Sequence, residues 1–299
     1  MTTLSRGNLF DPTLVTDLVN KVTGKSSLAR LSTQKAIPFN GEKEFTFTMD
    51  SEIDVVAENG KKTHGGISLA PRRIVPLKIE YGARVSDEFM YAAAEEKIAI
   101  LKAFNDGFAK KVARGIDLMA FHGVNPRTAA PSTVIGNNNF DSAVTQKVPM
   151  AKGMANPNDA VETAIAMVGG ADGDITGMAI NPSFRSALSQ QKDQQGNPMF
   201  PELSWGNAPA TIKGLAVDVN KTVSDMTENG DRAIVGNFAE SFKWGYAKNV
   251  PFEIIEFGDP DNSGFDLKGY NQVYLRSEMY LGWAILEPTH FAIITESAE

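Results

Sequence analysis

The chain has 299 residues, a net charge of −7, a pI near 5.2 and no cysteine. The missing cysteines exclude disulfides, thiolate-held zinc, iron–sulfur clusters and thiol nucleophiles. The acidic balance argues against a protein that grips nucleic acid through many phosphates. No run of 18 apolar residues occurs and the start, MTTLSRGNLFDP, has no apolar signal core, so the sequence predicts neither a membrane-spanning helix nor a standard export signal.

Asp11-Pro12 opens a short helix, with Asp as N-cap and Pro at the first helical position. Leu14, Val15, Leu18, Val19 and Val22 form its apolar stripe and Gly24 ends it; the segment up to Ala36 reads as irregular. A long antiparallel hairpin follows from about Phe39 to Ser86. Its outgoing arm alternates Phe45, Phe47, Met49, Ile53 and Val55 with polar residues, and its return arm runs through Ile74, Leu77, Ile79, Tyr81, Ala83 and Val85. The glycine-rich tip is AENGKKTHGG (57–66). A hairpin of two strands is marginal in water, so something else must support it.

The longest helical signal spans 86–123. Ser86 is its N-cap, Asp87 and Glu88 favour the positive end of the helix dipole, and Leu101, Phe104, Phe108, Val112, Ile116 and Met119 recur at steps of three or four, with bends allowed at Gly107 or Gly115. Residues 124–157 read as loop. Asn156-Pro157 and Asn181-Pro182 each start a helix, and ITGMAI (175–180), TIKGLAVDV, RAIVGNF, FKWGYA and FEIIEF (252–257) read as strands. After the acidic turn GDPDNSG comes a long alternating stretch, 270–288. The mixture is α+β: a small helix–strand unit set between segments of an elongated one.

Sites for small-molecule chemistry are not evident. TGKSS (23–27) lacks the leading glycine of a phosphate loop and ends a helix instead of following a strand. The acidic turns at 171–177 and 258–264 lack the glutamate of a calcium loop; the twelfth positions from Asp172 and Asp259 are Ser183 and Tyr270. His64, His122 and His290 are scattered without metal spacing. The sequence calls for no cofactor and no metal.

The hairpin's charges are sorted by arm. Glu42, Glu44, Asp50, Glu52, Asp54 and Glu58 lie on one side of the tip, and Lys61, Lys62, Arg72, Arg73, Lys78 and Arg84 on the other. Such sorting allows pairing across the arms, and it also suits contact with identical neighbours. Glu52, Asp54, Glu58, Lys61, Lys62, Arg72 and Arg73 are therefore candidate inter-subunit residues.

The sequence resembles the major capsid proteins of tailed bacteriophages with the Hong Kong 97 fold, along nearly the whole chain. SRGNLFDPTLVTDLVNKVTGKSSLARLSTQKAIPF resembles the family's N-terminal arm, VVAENGKKTHGGISLAPRRIVPLKIEYGARVSDEFM its extended loop returning into the spine helix, and VGNFAESFKWGYAKNVPFEI with YLRSEMYLGWAILEPTHFAIIT its late strands. The resemblance implies an arm (1–36), an extended loop (37–86), a peripheral-domain spine helix and following loop (87–149), an axial domain (150–250), a peripheral-domain sheet (251–288) and a return to the axial domain (289–299). It implies pentamers and hexamers that tile an icosahedral shell around double-stranded DNA, assembled in the bacterial host cytoplasm. A portal, a scaffolding protein and possible decoration proteins would be the partners; the start at Met1, without a scaffolding extension, favours a separate scaffold.

In the family's founding member a loop Lys forms an isopeptide bond with a neighbour's Asn, with a Glu seven residues later as base. Lys61 or Lys62, Asn271 and Glu278 match that pattern. The plainer reading, which we favour, makes Asn271 a turn residue and pairs Glu278 with an Arg. An encapsulin shell protein is the alternative with the same fold, and a soluble α+β enzyme is the distant one.

Overall fold

A computed structural model describes residues 25–91, 94–151, 153, 155–224 and 230–296. The helix expected from Asp11 lies outside them.

Three sheets organise the chain. The ribbon β1 (Glu42–Met49) and β2 (Ile67–Ile74) pair only with each other. A three-stranded antiparallel sheet has the order β3–β10–β9, built from β3 (Leu77–Ser86), β9 (Phe242–Ile255) and β10 (Gln272–Ile285). A six-stranded mixed sheet has the order β4–β11–β8–β5–β7–β6. Its strands are β4 (Lys147–Met150), β5 (Gly177–Ile180), β6 (Thr211–Ile212), β7 (Leu215–Val219), β8 (Asp231–Gly236) and β11 (Phe291–Glu296). The helices are α1 (Ser27–Leu31), α2 (Ala94–His122), α3 (Phe140–Ala143), α4 (Pro157–Gly169) and α5 (Pro182–Ser189).

The return arm of the expected hairpin is divided. Only 67–74 pairs back on β1; after Val75-Pro76 the chain crosses to β10, where Val85 faces Val273 and Ile79 faces Met279. Pro76 has no N–H to continue a ladder, so the strand ends there. FKWGYA and FEIIEF, expected as two strands, are one: β9 runs through Pro251, with a register shift between the pairs Arg276/Glu253 and Glu278/Val250. A proline fits there because β9 is an edge strand and the ladder is already bulged. The expected boundaries at 86/87 and 250/251 therefore cut away strand residues that belong to the three-stranded sheet.

The long helix starts later than expected. Residues 87–91 form a 3₁₀ turn, in which Ser86 Oγ accepts from Glu88 N, and α2 proper is described from Ala94. The loop expected over 124–157 contains α3, capped by Asn139, and β4.

Two cores share the six-stranded sheet. Phe291, Ile293 and Ile234 face α2, while Ala292, Ile294, Val235 and Ala233 pack with α4 and α5. A strand buried on both faces reads as a continuous apolar run, as FAII does. Phe140 joins the sheets: its ring lies 4.9 Å from Phe291, 5.6 Å from Phe242 and 5.5 Å from Phe121. The last two turns of α2 are buried on every side, from Gly115 to Phe121, while Lys110, Lys111 and Arg114 keep one face of the preceding turns exposed.

One acid sits inside that buried helix. Asp117 is fully buried and receives five donors: Ser26 Oγ at 2.5 Å and Leu28 N at 3.2 Å on Oδ1, and Ser27 N at 2.9 Å, Thr222 Oγ1 at 2.7 Å and Asn220 Nδ2 at 3.2 Å on Oδ2. The segment expected to be irregular is thereby fixed as a short helix on α2. Ser27 Oγ and Arg30 then bind Asp218 on β7, at 2.6 and 2.8 Å. Beyond α1 the chain runs along the edge of β9, where Lys35 N donates to Trp244 O and Ile37 N to Tyr246 O. The approach requires glycine at 245, since a Cβ there would lie 1.5 Å from Lys35 O.

Burial pushes the Asp117 carboxyl from 3.8 up to about 6, with the donors pulling the other way. Asp117→Ala strands those donors and is expected to cost the unassembled chain about 3–5 kcal/mol in urea unfolding. The native state holds this proton more tightly than the unfolded chain does. The site's contribution is therefore full below about pH 4 and declines as pH rises through about 6. The wild-type advantage over Asp117→Ala should narrow between those values; an advantage that widens would contradict this assignment.

Candidate subunit interface

The segment 50–66 joins β1 to β2 without strand structure of its own, and every residue from 49 to 69 is exposed. A few local bonds shape it. Asp50 N donates to Gly66 O (3.2 Å), Gly66 N to Asp50 Oδ1 (2.6 Å), Thr63 Oγ1 to Asp54 Oδ2 (2.7 Å) and Gly60 N to Ala57 O (2.8 Å). These close turns but bury nothing.

The apolar side chains of this region face water. Ile53 is 95% and Val55 94% exposed, and Phe45, Met49, Ile67 and Leu69 are each more than half exposed. Phe45 and Met49 share a ribbon face by alternation, and Met49 sits opposite Ile67 in the register. Each such side chain is worth about 1.5–3 kcal/mol when it moves from water to a packed interior. Exposed apolar groups gathered on one segment make it a candidate interaction surface. Further exposed apolar groups lie elsewhere: Tyr91 and Ile98 at the start of the long helix, Phe257, Phe265 and Tyr270 around the acidic turn, and Trp205, fully exposed in a left-handed backbone conformation at φ 57°.

Charge pairing differs from the arm-to-arm expectation. Glu44 lies opposite Arg72 in the register, but its ion pairs go to Lys35 (3.2 Å) and Lys243 (3.1 Å), which hold its carboxyl below the usual range although burial works the other way. Arg73 donates to Asn40 O. Glu52, Asp54, Glu58, Lys61, Lys62, Arg72 and Arg73 form no ion pair with another described residue. The later basic residues of the return arm find acids on other elements. Lys78 pairs with Glu278 at 2.7 Å. Arg84 Nη2 reaches Asp259 Oδ1 (2.7 Å), Asp261 Oδ1 (2.5 Å), Ser263 Oγ (2.6 Å) and Phe265 O (2.9 Å). This contact holds Asp261 well below the usual carboxylate range and gives the acidic turn its purpose: it grips β3.

Asn271 is exposed, left-handed at φ 52°, and closes the turn before β10, where its carbonyl accepts from Asp87 N. Glu278 lies midway along β10, between Lys78 and Arg276. The two are separated by about 20 Å of strand. Within one chain they cannot act on the same bond.

Sequence spacing did not reveal one cluster that the fold assembles: His122, Asp141 and Asp231 come together from the end of α2, from α3 and from β8. The acids lie 19 and 109 positions from the histidine, so no local motif signals them. His64 stays on the exposed loop and His290 bonds Ser241 Oγ at 2.8 Å. No helix among the described residues is long and apolar enough to cross a membrane.

A family model described as "Phage capsid family" matches residues 6–295. Comparison with curated proteins gives no match. Among solved structures, the chain is similar to one from Mycobacterium phage Ogopogo, at 28% identity and a TM-score of 0.79, over 91% of this chain and 92% of that one. It is also similar to one from Gordonia phage Cozz, at 21% identity and a TM-score of 0.75, over 93% and 86%. A third similar structure is the capsid of an empty GTA particle, at 15% identity and a TM-score of 0.65, over 92% and 90%. These matches favour the phage reading over the encapsulin and enzyme alternatives. The chain belongs to the phage capsid family.

Proposed function

We propose that this chain forms the head shell of a tailed phage by associating as pentamers and hexamers, with the loop 50–66 of each subunit laid across a neighbouring copy. The observation that carries this is the exposure of Ile53 and Val55, 95% and 94%, on a segment with no layer of its own to cover it. The charged residues flanking them, Glu52, Asp54, Glu58, Lys61 and Lys62, would set register against the neighbour, since exposed charges contribute more to specificity than to affinity. In this reading the three-stranded sheet and α2 form the peripheral domain, and the six-stranded sheet with α4 and α5 forms the axial one. Packaged double-stranded DNA, a portal, a separate scaffolding protein and decoration proteins are the proposed partners, and the host cytoplasm is the place of assembly. The net charge of −7 supports a wall that does not hold DNA tightly.

We also propose that the shell is held without covalent crosslinks. Glu278 is engaged by Lys78 and Arg276 instead of standing free as a base. Its 15% exposed carboxylate balances these cations in a structural ion-pair network.

Expressed with its head-assembly partners, the chain should give closed shells in negative-stain electron microscopy; small oligomers alone would contradict the reading. The pair Ile53→Asp and Val55→Asp should abolish shells while changing the unfolding free energy of the unassembled chain by less than about 0.5 kcal/mol, because neither side chain is packed. Purified shells should run on a denaturing gel as a single 32.3 kDa band; a ladder of multiples would overturn the non-covalent assignment.

A further inference from the structure

Three side chains from separate elements converge at the junction between the long helix and the six-stranded sheet. His122 ends α2, Asp141 lies in α3 and Asp231 opens β8. One ligand atom of each lies within 4.8 Å of the others. His122 Nδ1 is 2.9 Å from Asp141 Oδ2, and its other nitrogen, Nε2, is 2.9 Å from the Thr222 carbonyl oxygen. In the neutral tautomer that donates Nε2–H to this carbonyl, Nδ1 keeps its lone pair directed at Asp141; metal-binding histidines are oriented in this way. The histidine side chain is 2% exposed.

The carboxylates supply a second, independent observation. Asp231 is 6% exposed and, with both carboxyls ionised, its Oδ2 has no donor among the described residues; nor has Asp141 Oδ1, also shielded from water. Buried acceptors in this state ordinarily carry a penalty, and two neighbouring carboxylates add repulsion to it.

We infer that His122 Nδ1, Asp141 and Asp231 bind one divalent cation of the zinc or manganese class, which ties the end of α2 to α3 and β8. One nitrogen and two carboxylate oxygens suit this class better than calcium or magnesium, which prefer all-oxygen shells. Water completes the coordination through the partly exposed Asp141 side. The cation is structural. It joins elements that contribute to both cores and lies next to Thr222, which also donates to Asp117.

The test uses the untagged full-length chain, stripped with chelator and titrated with Co²⁺ alone at neutral pH, with binding read by calorimetry and visible absorption. Saturable uptake of one Co²⁺ per chain, with the d–d bands of a low-coordinate site and a raised melting temperature, is expected. His122→Gln and Asp231→Asn should reduce affinity at least tenfold while keeping the wild-type circular dichroism spectrum. Where either fails to fold, Asp141→Asn decides, because its side chain is 30% exposed and packs less tightly. No saturable uptake by the wild type, or equal uptake by the variants, would overturn the site and mean that Asp231 keeps a proton shared with Asp141. Shell formation is scored separately, so failure of this site leaves the capsid reading untouched.

Discussion

A two-stranded ribbon pairs only its inward-facing backbone groups and has no second layer on which to bury side chains. In this chain β1 and β2 carry Phe45, Met49, Ile67 and Leu69 into water, and the loop between them does the same with Ile53 and Val55. A soluble monomer gains nothing from that arrangement. It becomes favourable when another surface covers the apolar groups, and in the proposed reading that surface belongs to a neighbouring copy.

The rest of the fold holds the base of the ribbon still. Strand β3 continues from β2 after Pro76 and is clamped by ten register pairs to β10 and by Arg84 to the acidic turn at 259–265. On the other side, Lys35 and Lys243 hold Glu44 at the start of β1, and the backbone of 35–37 is bonded to β9. That backbone is placed in turn by α1, whose N-terminus is tied to Asp117 in the long helix. Buried charge inside a helix is costly unless it is fully bonded, and this one has two donors on one oxygen and three on the other. The arm, the long helix and the six-stranded sheet are thus connected by polar contacts at two points, Asp117 and Asp218, and Phe140 packs against both large sheets through Phe291 and Phe242.

Periodicity made most strands and helices legible. Asn-Pro starts at 156 and 181 marked α4 and α5, and alternation marked β1, β3 and β10. Partner choice was not legible in the same way, because an alternating strand looks alike whichever strand it pairs with. Pro76 carried the one local sign that β2 and β3 part company, while Pro251 carried a misleading sign of a break inside β9. The opposite charges of the two arms suggested mutual pairing; the fold instead gives Glu44 to lysines 35 and 243 and Arg84 to a turn 175 residues away. Asp117 could have been suspected as a lone acid between Ile116 and Leu118, in a helix segment apolar on several sides. His122, Asp141 and Asp231 could not, since only tertiary structure brings them together.

The most direct measurement is hydrogen exchange of the backbone amides of residues 50–66, followed by mass spectrometry in the assembled shell and in the unassembled subunit. Apart from Asp50, Gly60 and Gly66, these amides have no acceptor among the described residues, so they should exchange at nearly random-coil rates in the free subunit and be slowed strongly in the shell. Equal, rapid exchange in both states would show that no neighbour covers the loop and would contradict the account.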